Sequence, residues 1–164
     1  IPHPELVDEE IGPGYNPEHY YPAKPGEILA NHYQLLVKIG WGAGSTVWLA
    51  QDVARHALFI LNNCRRSSYY ERDIEDHIRR QTPSHRGRPV VRNCLDSFEV
   101  AGPIGNHLCL AYEPAREPLW IFQKRFASDR FPLSMAKGYI LILLAGLDYL
   151  HSECKVVHTG KQLK

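Results

Sequence analysis

The segment YQLLVKIGWGAGSTVWLAQD, residues 33–52, has the clearest secondary-structure pattern of the chain. On both sides of a glycine cluster, β-branched and aromatic residues alternate with polar ones, a pattern typical of two strands joined by a tight loop. The next segment, HALFILNN (56–63), is continuously apolar. Such a run predicts a third strand with neighbours on both sides, central in the sheet and buried on both faces.

The remaining pattern predicts helices and two more strands. SSYYERDIEDHIRRQ (67–81) has apolar or aromatic residues three and four positions apart and indicates an amphipathic helix. VVRNCLDSFEV (90–100) and NHLCLAYE (106–113) alternate like strands around a turn. REPLWIFQKRF (116–126) indicates a short helix or a loop, and the segment 131–154 a long helix that is apolar almost all round. The fold class is therefore predicted as α+β.

Composition narrows the function classes. With 164 residues, 44% of them apolar, and a formal net charge of +1, the chain has globular composition and no net field that would attract nucleic acid or an anionic membrane. Its four cysteines are far apart without a CxxC pair, so we expect reduced thiols and no zinc site. The apolar run YILILLAGLDYL is too short to span a bilayer. No cluster of basic residues stands out as a nuclear import signal. Residues 1–30 are rich in tyrosine and proline and indicate an extended arm. We expect a cytoplasmic or nuclear protein.

The glycine loop carries the first chemical signal. Gly40 and Gly42 have GxG spacing, Ser45 stands where a third glycine would complete GxGxxG, and Val47 follows two residues later. Small residues between two strands let backbone N–H groups approach phosphate oxygens, and flanking apolar side chains can cover a planar base. A glycine-rich hairpin is more often only a turn. The loop alone leaves both readings open.

The order of the motifs is more specific. Glycine hairpin, apolar strand, helix with an acid at Glu71, two strands, a YEPA linker and a long apolar helix ending in VVH resemble a eukaryotic protein kinase. GWG followed by STVWL, VVRNCLDSFEV, GNHLCLAYEP and LAGLDYLHSECKVVHT resemble the SR-protein kinases, particularly the fungal ones. The resemblance implies an arm (1–30), an N-lobe of five antiparallel strands and the αC helix (31–112), a hinge (113–118), and the first helices of an incomplete C-lobe (119–164).

The resemblance also implies which positions would contact ATP. In such kinases apolar residues cover the adenine, the glycine-loop backbone covers the phosphates, and hinge backbone groups meet the adenine edge. Glu71 matches the helix acid that pairs with a strand lysine. The matching ATP positions here are Ile39, Val47 and Ala57 for the adenine, Gly40, Trp41, Gly42, Ala43, Gly44 and Ser45 for the phosphate lid, Tyr112 for the gatekeeper, and Glu113 and Ala115 for the hinge.

The catalytic positions depart from the family pattern. By the resemblance, Phe59 stands at the strand lysine that holds the phosphates, and no lysine occurs between Gly40 and Lys124. His158 is kept, but Gly160 takes the place of the catalytic aspartate, and no DFG follows, so we expect no intact catalytic residue and no magnesium site. The sequence is interpreted as truncated at the catalytic loop, as a pseudokinase-like remnant, or as read-through into an intron, because Gly-Lys can be encoded by GGT-AAG, which contains a splice-donor core.

Two functions remain open. One is a serine/threonine kinase fragment whose family activity is ATP-dependent phosphorylation of serines in Arg/Ser-rich proteins, which would be its partners. The other is a catalytically dead kinase-like module that acts by binding. In either case the long apolar helix is expected to be exposed unless further C-lobe helices or a partner cover it. The histidines show no metal-ligand spacing, and His77 is expected to pack or to form hydrogen bonds.

Overall fold

The structure, a computed structural model, describes residues 20–42, 45–54, 58–64, 69–82, 84–103 and 105–157. The chain divides into two compact units. The first contains the described residues up to Ile74 together with Cys94–Pro114, and the second contains Glu75–Asn93 and the described residues from Ala115 onward. The predicted α+β class is confirmed, because an antiparallel sheet and separate helices make up these units.

Six strands of the described residues form one sheet in the order β1-β2-β3-β4-β6-β5, and all neighbours are antiparallel. The third predicted strand is central as expected, since β4 lies between β3 and β6. The strands are β1 (Ile28–Leu29), β2 (Tyr33–Gly42), β3 (Ser45–Asp52), β4 (Leu58–Cys64), β5 (Cys94–Gly102) and β6 (Gly105–Tyr112).

The short strand β1 lies inside the segment that was predicted to be an extended arm. Gly26, with a φ of 86°, donates its N–H to the Leu35 carbonyl, and Leu35 donates in return to the Glu27 carbonyl. Ala30 and Asn31 then turn the chain in the left-handed region, with φ of 47° and 61°. These backbone hydrogen bonds add a sixth strand that side-chain alternation could not reveal in two residues.

The sheet has two faces, which we name after neighbouring residues of β3. The Trp48 face carries the main core of the first unit, and Tyr21 and Ala23 of the arm pack against that core. The Val47 face is less uniformly covered, because Val47 and Leu49 are half-buried. The Trp48 face includes Leu35, Trp48, Ala50, Cys109 and Ala111, and the Val47 face includes Val37, Val47, Leu49, Leu110 and Tyr112.

Burial on the Trp48 face changes two ionisable groups. The Cys109 thiol is fully buried, and burial raises its pKa to about 12. Burial, and then the hydrogen bond that its hydroxyl donates to the Glu27 carboxylate, raise the pKa of Tyr21 to about 12. Both groups therefore stay protonated at neutral pH, so Cys109 is a packing residue rather than a reactive thiol.

The helical elements are α1 (Tyr69–Arg79), a 3₁₀ turn (Arg88–Val90), α2 (Leu119–Phe122), two further 3₁₀ turns (Gln123–Arg125 and Ala127–Asp129) and α3 (Leu133–Asp148), which continues into a π-helical turn (Tyr149–Glu153). Pro132 directly precedes α3, and proline is favoured near the start of a helix because its fixed φ suits the first turn. The segment predicted as a short helix or loop is the one-turn α2 and the first 3₁₀ turn that follows it.

The second unit has a small core of its own around the end of α3. Tyr149 and Cys154 are fully buried there with Ile78, and the Tyr149 hydroxyl donates to the Ile78 carbonyl at 3.1 Å. His77 Nε2 lies 2.7 Å from the Cys154 carbonyl, which confirms its expected hydrogen-bonding role. A Cβ on Gly87 would lie 1.8 Å from the Ala145 carbonyl oxygen, so only glycine fits this close approach.

Most of α3 is exposed, as predicted. Seven large apolar residues of this helix are 40–71% exposed. Leu150, which was expected to share that exposure, instead packs against the second core. The seven exposed residues are Leu133, Ile140, Leu141, Ile142, Leu143, Leu144 and Leu147.

Among the described residues, one helical segment, Leu133–Glu153, is long and apolar enough to cross a membrane by length and composition alone. The expectation that the apolar run is too short is therefore wrong on length, because the π turn extends the helix to 21 residues. Helices in the cores of water-soluble proteins meet the same criterion. Asp148 lies 3.5 Å from His85 Nε2 and Tyr149 is fully buried, so one side of this helix contacts protein.

Candidate functional site

The glycine motif lies at the end of the β2–β3 hairpin where the two strands are connected. Gly40 is in register with Val47, and Gly42 is in register with Ser45. An irregularity in the pairing leaves Ile39 as an additional residue between Lys38 and Gly40. Ile39 is 51% exposed, so its side chain is accessible to a ligand rather than committed to the core.

Gly40 leaves open space on the Val47 face. The nearest atom to a Cβ built on Gly40 is Val47 Cβ, at 3.9 Å, which is an ordinary van der Waals contact. The glycine is therefore not required by packing among the described residues, unlike Gly87. A glycine that packing does not require permits a ligand to approach the backbone closely.

A row of paired residues crosses the sheet from Gly40. Val47 of β3 pairs with Gly40 on one side and with Asn62 of β4 on the other. Asn62 pairs with Leu110 of β6, and Leu110 pairs with Ser97 of β5. Because residues paired across antiparallel strands lie on the same face, all five positions belong to the Val47 face. This face offers an apolar surface beside an open glycine, a combination suited to a planar base with a polar tail.

Phe59, which was predicted to replace the strand lysine, does not lie on the Val47 face of the sheet. Phe59 pairs with Ala50, so position 59 belongs to the Trp48 face, where Ala50 is fully buried. Lys38, the lysine that precedes the glycine loop, is in register with Trp48. The strand pairing thus places both positions on the face opposite Val47.

The predicted gatekeeper and hinge residues follow the last strand. Tyr112 ends β6, is half-buried and packs against the buried Leu110 and Leu108 pair. Glu113 comes directly afterwards and is exposed. Ala115 is also exposed and belongs to the second unit. Glu71 lies in the first turn of α1 with an exposed side chain.

Several predicted site residues lie outside the described residues, namely Ala43, Gly44, Ala57, His158 and Gly160. For Gly42 and Phe59 the structure describes the backbone, which lies in β2 and β4. In the described part of the chain, no three histidine, cysteine, aspartate or glutamate residues are grouped as metal ligands. The structure thus brings Gly40 and Val47 together directly, and it places Tyr112 on the same face two strands away from β3.

The sequence could not predict which face of the sheet each position of β4 shares. Positions 58, 60, 62 and 64 alternate with 59, 61 and 63, and the pairing with β3 places the first set in register with the Val47 face. In HALFILNN the apolar residues occupy successive positions, so the sequence does not show which residues of the strand lie on which face of the sheet.

No family model matches the chain. It is 37% identical over 159 residues to a serine/threonine protein kinase of Aspergillus fumigatus, an alignment that covers 96% of this chain and 40% of that protein. It is 34% identical over 157 residues to the serine/threonine-protein kinase SRPK of Physarum polycephalum, which covers 93% of this chain and 37% of that protein. SRSF protein kinase 3 of Mus musculus is 32% identical over 148 residues, with 85% of this chain and 26% of the relative covered.

A crystal structure of a kinase domain matches the fold with a TM-score of 0.65, at 23% identity, over 82% of this chain and 39% of that one. This likeness supports the fold alone. The chain spans between about a quarter and two fifths of the length of the three relatives described above. What these relatives share with this chain is therefore the part that contains the glycine hairpin, the sheet and the long apolar helix.

Proposed function

Because the chain belongs to the SR-protein kinase family of serine/threonine kinases, we propose that it carries the adenine-nucleotide site of that family on the Val47 face. The observation that supports this most directly is the pairing of Gly40 with Val47, which combines an open backbone with an apolar side chain. Leu49 and Tyr112 extend the apolar surface on the same face. An adenine ring would lie against these side chains, and the phosphates would extend under the hairpin.

The family activity proposed for the whole protein is transfer of the γ-phosphate of ATP to serines in Arg/Ser-rich proteins. We expect these 164 residues to lack that transfer activity by themselves. Gly160 has no side chain to accept the proton of a substrate hydroxyl, and no lysine lies between Gly40 and Lys124 to neutralise phosphate charge. The ATP site therefore binds nucleotide weakly.

The residues of the site fit the base better than they fit the metal. The apolar side chains of the Val47 face suit adenine, whereas the described residues contain no group of ligands for magnesium. Magnesium, where bound, would neutralise negative charge on the phosphates. In its absence, affinity depends on the base and on backbone N–H groups.

The test uses Gly40→Ala, which the structure accommodates because the added Cβ meets only Val47 at 3.9 Å. We expect a fluorescent ATP analogue to bind the complete chain and to bind this variant about tenfold more weakly, since the methyl group occupies the approach of the ligand. Gly138→Ala in α3 is the control, because a Cβ there meets nothing within 4 Å. Equal affinity of Gly40→Ala and the original chain would contradict the proposed site.

Phosphotransfer is measured in the same preparations with radiolabelled ATP and an Arg/Ser-repeat peptide. We expect no incorporation above a sample without protein. Incorporation that Gly40→Ala abolishes would show that the chain is an active kinase, and would contradict the expectation drawn from Gly160 and the missing lysine.

A binding module is the second candidate function, and the exposure of α3 favours it. Leu141 is 67% exposed, and Leu143 and Leu144 are each 53% exposed. Such a contiguous apolar surface is characteristic of interaction sites. If it acts by association, sedimentation should show oligomers of the chain that Leu141→Glu with Leu144→Glu dissociates, whereas nucleotide binding should be undetectable. A monomeric chain that binds nucleotide would exclude this candidate.

A further inference from the structure

In the second unit, the segment that ends α1 is attached to the π-helical turn after α3 both in the core and at the surface. In the core, the Tyr149 hydroxyl donates to the Ile78 carbonyl at 3.1 Å. At the surface, the Thr82 hydroxyl donates to Glu153 Oε2 at 2.8 Å. Thr82 is exposed and Glu153 is half-buried. Another protein can therefore reach the threonine hydroxyl without opening the core.

Thr82 has the sequence context of a phosphorylation site. It directly precedes Pro83, and no other serine or threonine of the 164-residue sequence precedes a proline. Proline-directed protein kinases modify a serine or threonine in this position. Thr82 lies beyond Arg79, the last residue of α1, and a residue before proline is disfavoured in the helical conformation. No helix therefore has to unwind for Thr82 to enter the cleft of another enzyme.

The charges around Thr82 give a phosphate there a structural consequence. Residues 77–95 include five arginines and no acidic residue. Arg79 and Arg80 are exposed, and the Arg86 side chain is 81% exposed. Guanidinium groups bind phosphate through charge-assisted hydrogen bonds. A phosphate on Thr82 would thus have cations close to it in the chain, whereas the carboxylate that now accepts its hydrogen bond would repel it.

We propose that Thr82 is a phosphorylation site for a proline-directed kinase and that its phosphate detaches the segment after α1 from Glu153. In the reaction, Thr82 Oγ1 forms a bond to the γ-phosphorus of ATP, the bond from that phosphorus to ADP breaks, and the hydroxyl proton passes to a base of the modifying kinase. The product has lost the hydroxyl donor and carries a charge of about −1.5 to −2 at pH 7. This inference does not depend on the nucleotide site proposed above.

The first experiment locates the phosphate. The complete chain is incubated with ATP, magnesium and a cyclin-dependent protein kinase, and its mass is measured. We expect one phosphate per chain, located at Thr82 by fragmentation, and none on Thr82→Val. Ser84→Ala is the matched control, because Ser84 is also exposed but precedes no proline, and this variant should accept phosphate like the original chain. Phosphate on Thr82→Val would overturn the site, as would an unmodified chain when a peptide of residues 77–90 is phosphorylated in the same reaction.

The second experiment measures the detachment by hydrogen exchange of the amides of residues 77–82 and 149–154. Phosphorylation should accelerate their exchange about tenfold, because like-charge repulsion replaces a hydrogen bond, and should leave the amides of β2 and β3 unchanged. Thr82→Val, which loses only the hydrogen bond, should accelerate exchange less. In Glu153→Gln, phosphorylation should accelerate exchange less than about twofold, since the glutamine amide can donate to the phosphate.

The two experiments test the two parts of the proposal separately. Unchanged exchange in a chain phosphorylated at Thr82 would overturn the detachment. Equal acceleration in phosphorylated Glu153→Gln and in the phosphorylated original chain would overturn the role of the Glu153 carboxylate. Circular dichroism establishes that the variants are folded before either comparison is made.

Discussion

The sheet of the first unit and helix α3 of the second are both rich in apolar residues, but they bury them differently. In β3 every second residue is buried, with Thr46, Trp48, Ala50 and Asp52 at 0–7% exposure, and the residues between them are half-buried. In α3, large apolar residues point in all directions, and burial is limited to Gly146 and to Tyr149 of the following turn. Alternation therefore assigns each residue of the strand to a face, whereas the composition of the helix does not say which side packs.

The difference shows what determines packing in each region. A strand has period two, so one buried residue fixes the faces of all the others. An all-apolar helix has no preferred side, and the contact side is chosen by where backbones can approach. In the second unit Gly87 approaches Ala145, and Gly146 approaches Val90, whose Cγ1 would lie 3.0 Å from an added Cβ. Glycines, not leucines, determine that contact.

The largest difference in stability is expected between alanine substitutions on the two faces of β3. Trp48→Ala should destabilise the first unit by about 3–5 kcal/mol, because Trp48 is only 7% exposed and its removal leaves a cavity. Val47→Ala should cost about 1 kcal/mol, because Val47 is half-buried, but it should weaken nucleotide binding. Urea unfolding by circular dichroism, with hydrogen exchange of β3 amides to isolate the first unit, measures both.

Equal losses for the two variants would mean that the faces are not distinct, and would remove the basis for separating a covered face from a ligand face. A loss of nucleotide affinity in folded Trp48→Ala as large as in Val47→Ala would have the same meaning. The original chain and Gly138→Ala provide the reference affinities.

The next largest effect should come from the two glycines associated with α3 packing. Gly87→Ala should destabilise the second unit by about 2–3 kcal/mol, because its Cβ would meet the Ala145 carbonyl oxygen, a backbone atom that cannot move alone. Gly138→Ala should instead stabilise α3 by roughly 0.5–1 kcal/mol, since it gains helix propensity in open space. Hydrogen exchange of α3 amides distinguishes them. A neutral Gly87→Ala would contradict the close approach.

These contacts mark the limit of what the sequence could predict. The hairpin, the central strand, α1 and α3 follow from periodicity, and Pro132 locates the start of α3. The strand β1 could not be predicted, because two residues have no period and backbone hydrogen bonds to Leu35 hold the segment. The pairing of Gly40 with Val47 was predictable from their spacing around the glycine loop, but the face on which each position of β4 lies was not, because it depends on pairing with β3. Strand pairing is a feature of the folded structure and could not be predicted from the sequence of one strand.

A smaller effect is expected from the buried hydroxyl at the end of α3. Tyr149→Phe should destabilise the second unit by about 1 kcal/mol, because it removes the hydrogen bond to the Ile78 carbonyl. The cost is modest since Gln81 also donates its N–H to that carbonyl. Burial raises the pKa of Tyr149, so the phenol remains a donor at neutral pH. Urea unfolding at pH 7 measures the loss, and a loss above about 3 kcal/mol would indicate a packing role instead.

The smallest effect concerns Tyr21, which attaches the arm to the Trp48 face. Its pKa is raised to about 12 by burial and by the Glu27 carboxylate, so the folded state favours the neutral phenol. Its contribution to stability is complete below pH 10 and is lost as the pH rises toward 12. At pH 8, Tyr21→Phe should therefore cost less than about 1 kcal/mol, because the side chain is only partly buried, and the difference from the original chain should shrink at pH 11. Urea unfolding at both pH values tests this.

Tyr70→Phe is the control, since Tyr70 is 79% exposed and should show no such pH-dependent difference. A cost for Tyr21→Phe that grows between pH 8 and pH 11 would contradict the sign, and would mean that the hydroxyl stabilises the arm as a phenolate rather than as a donor to Glu27.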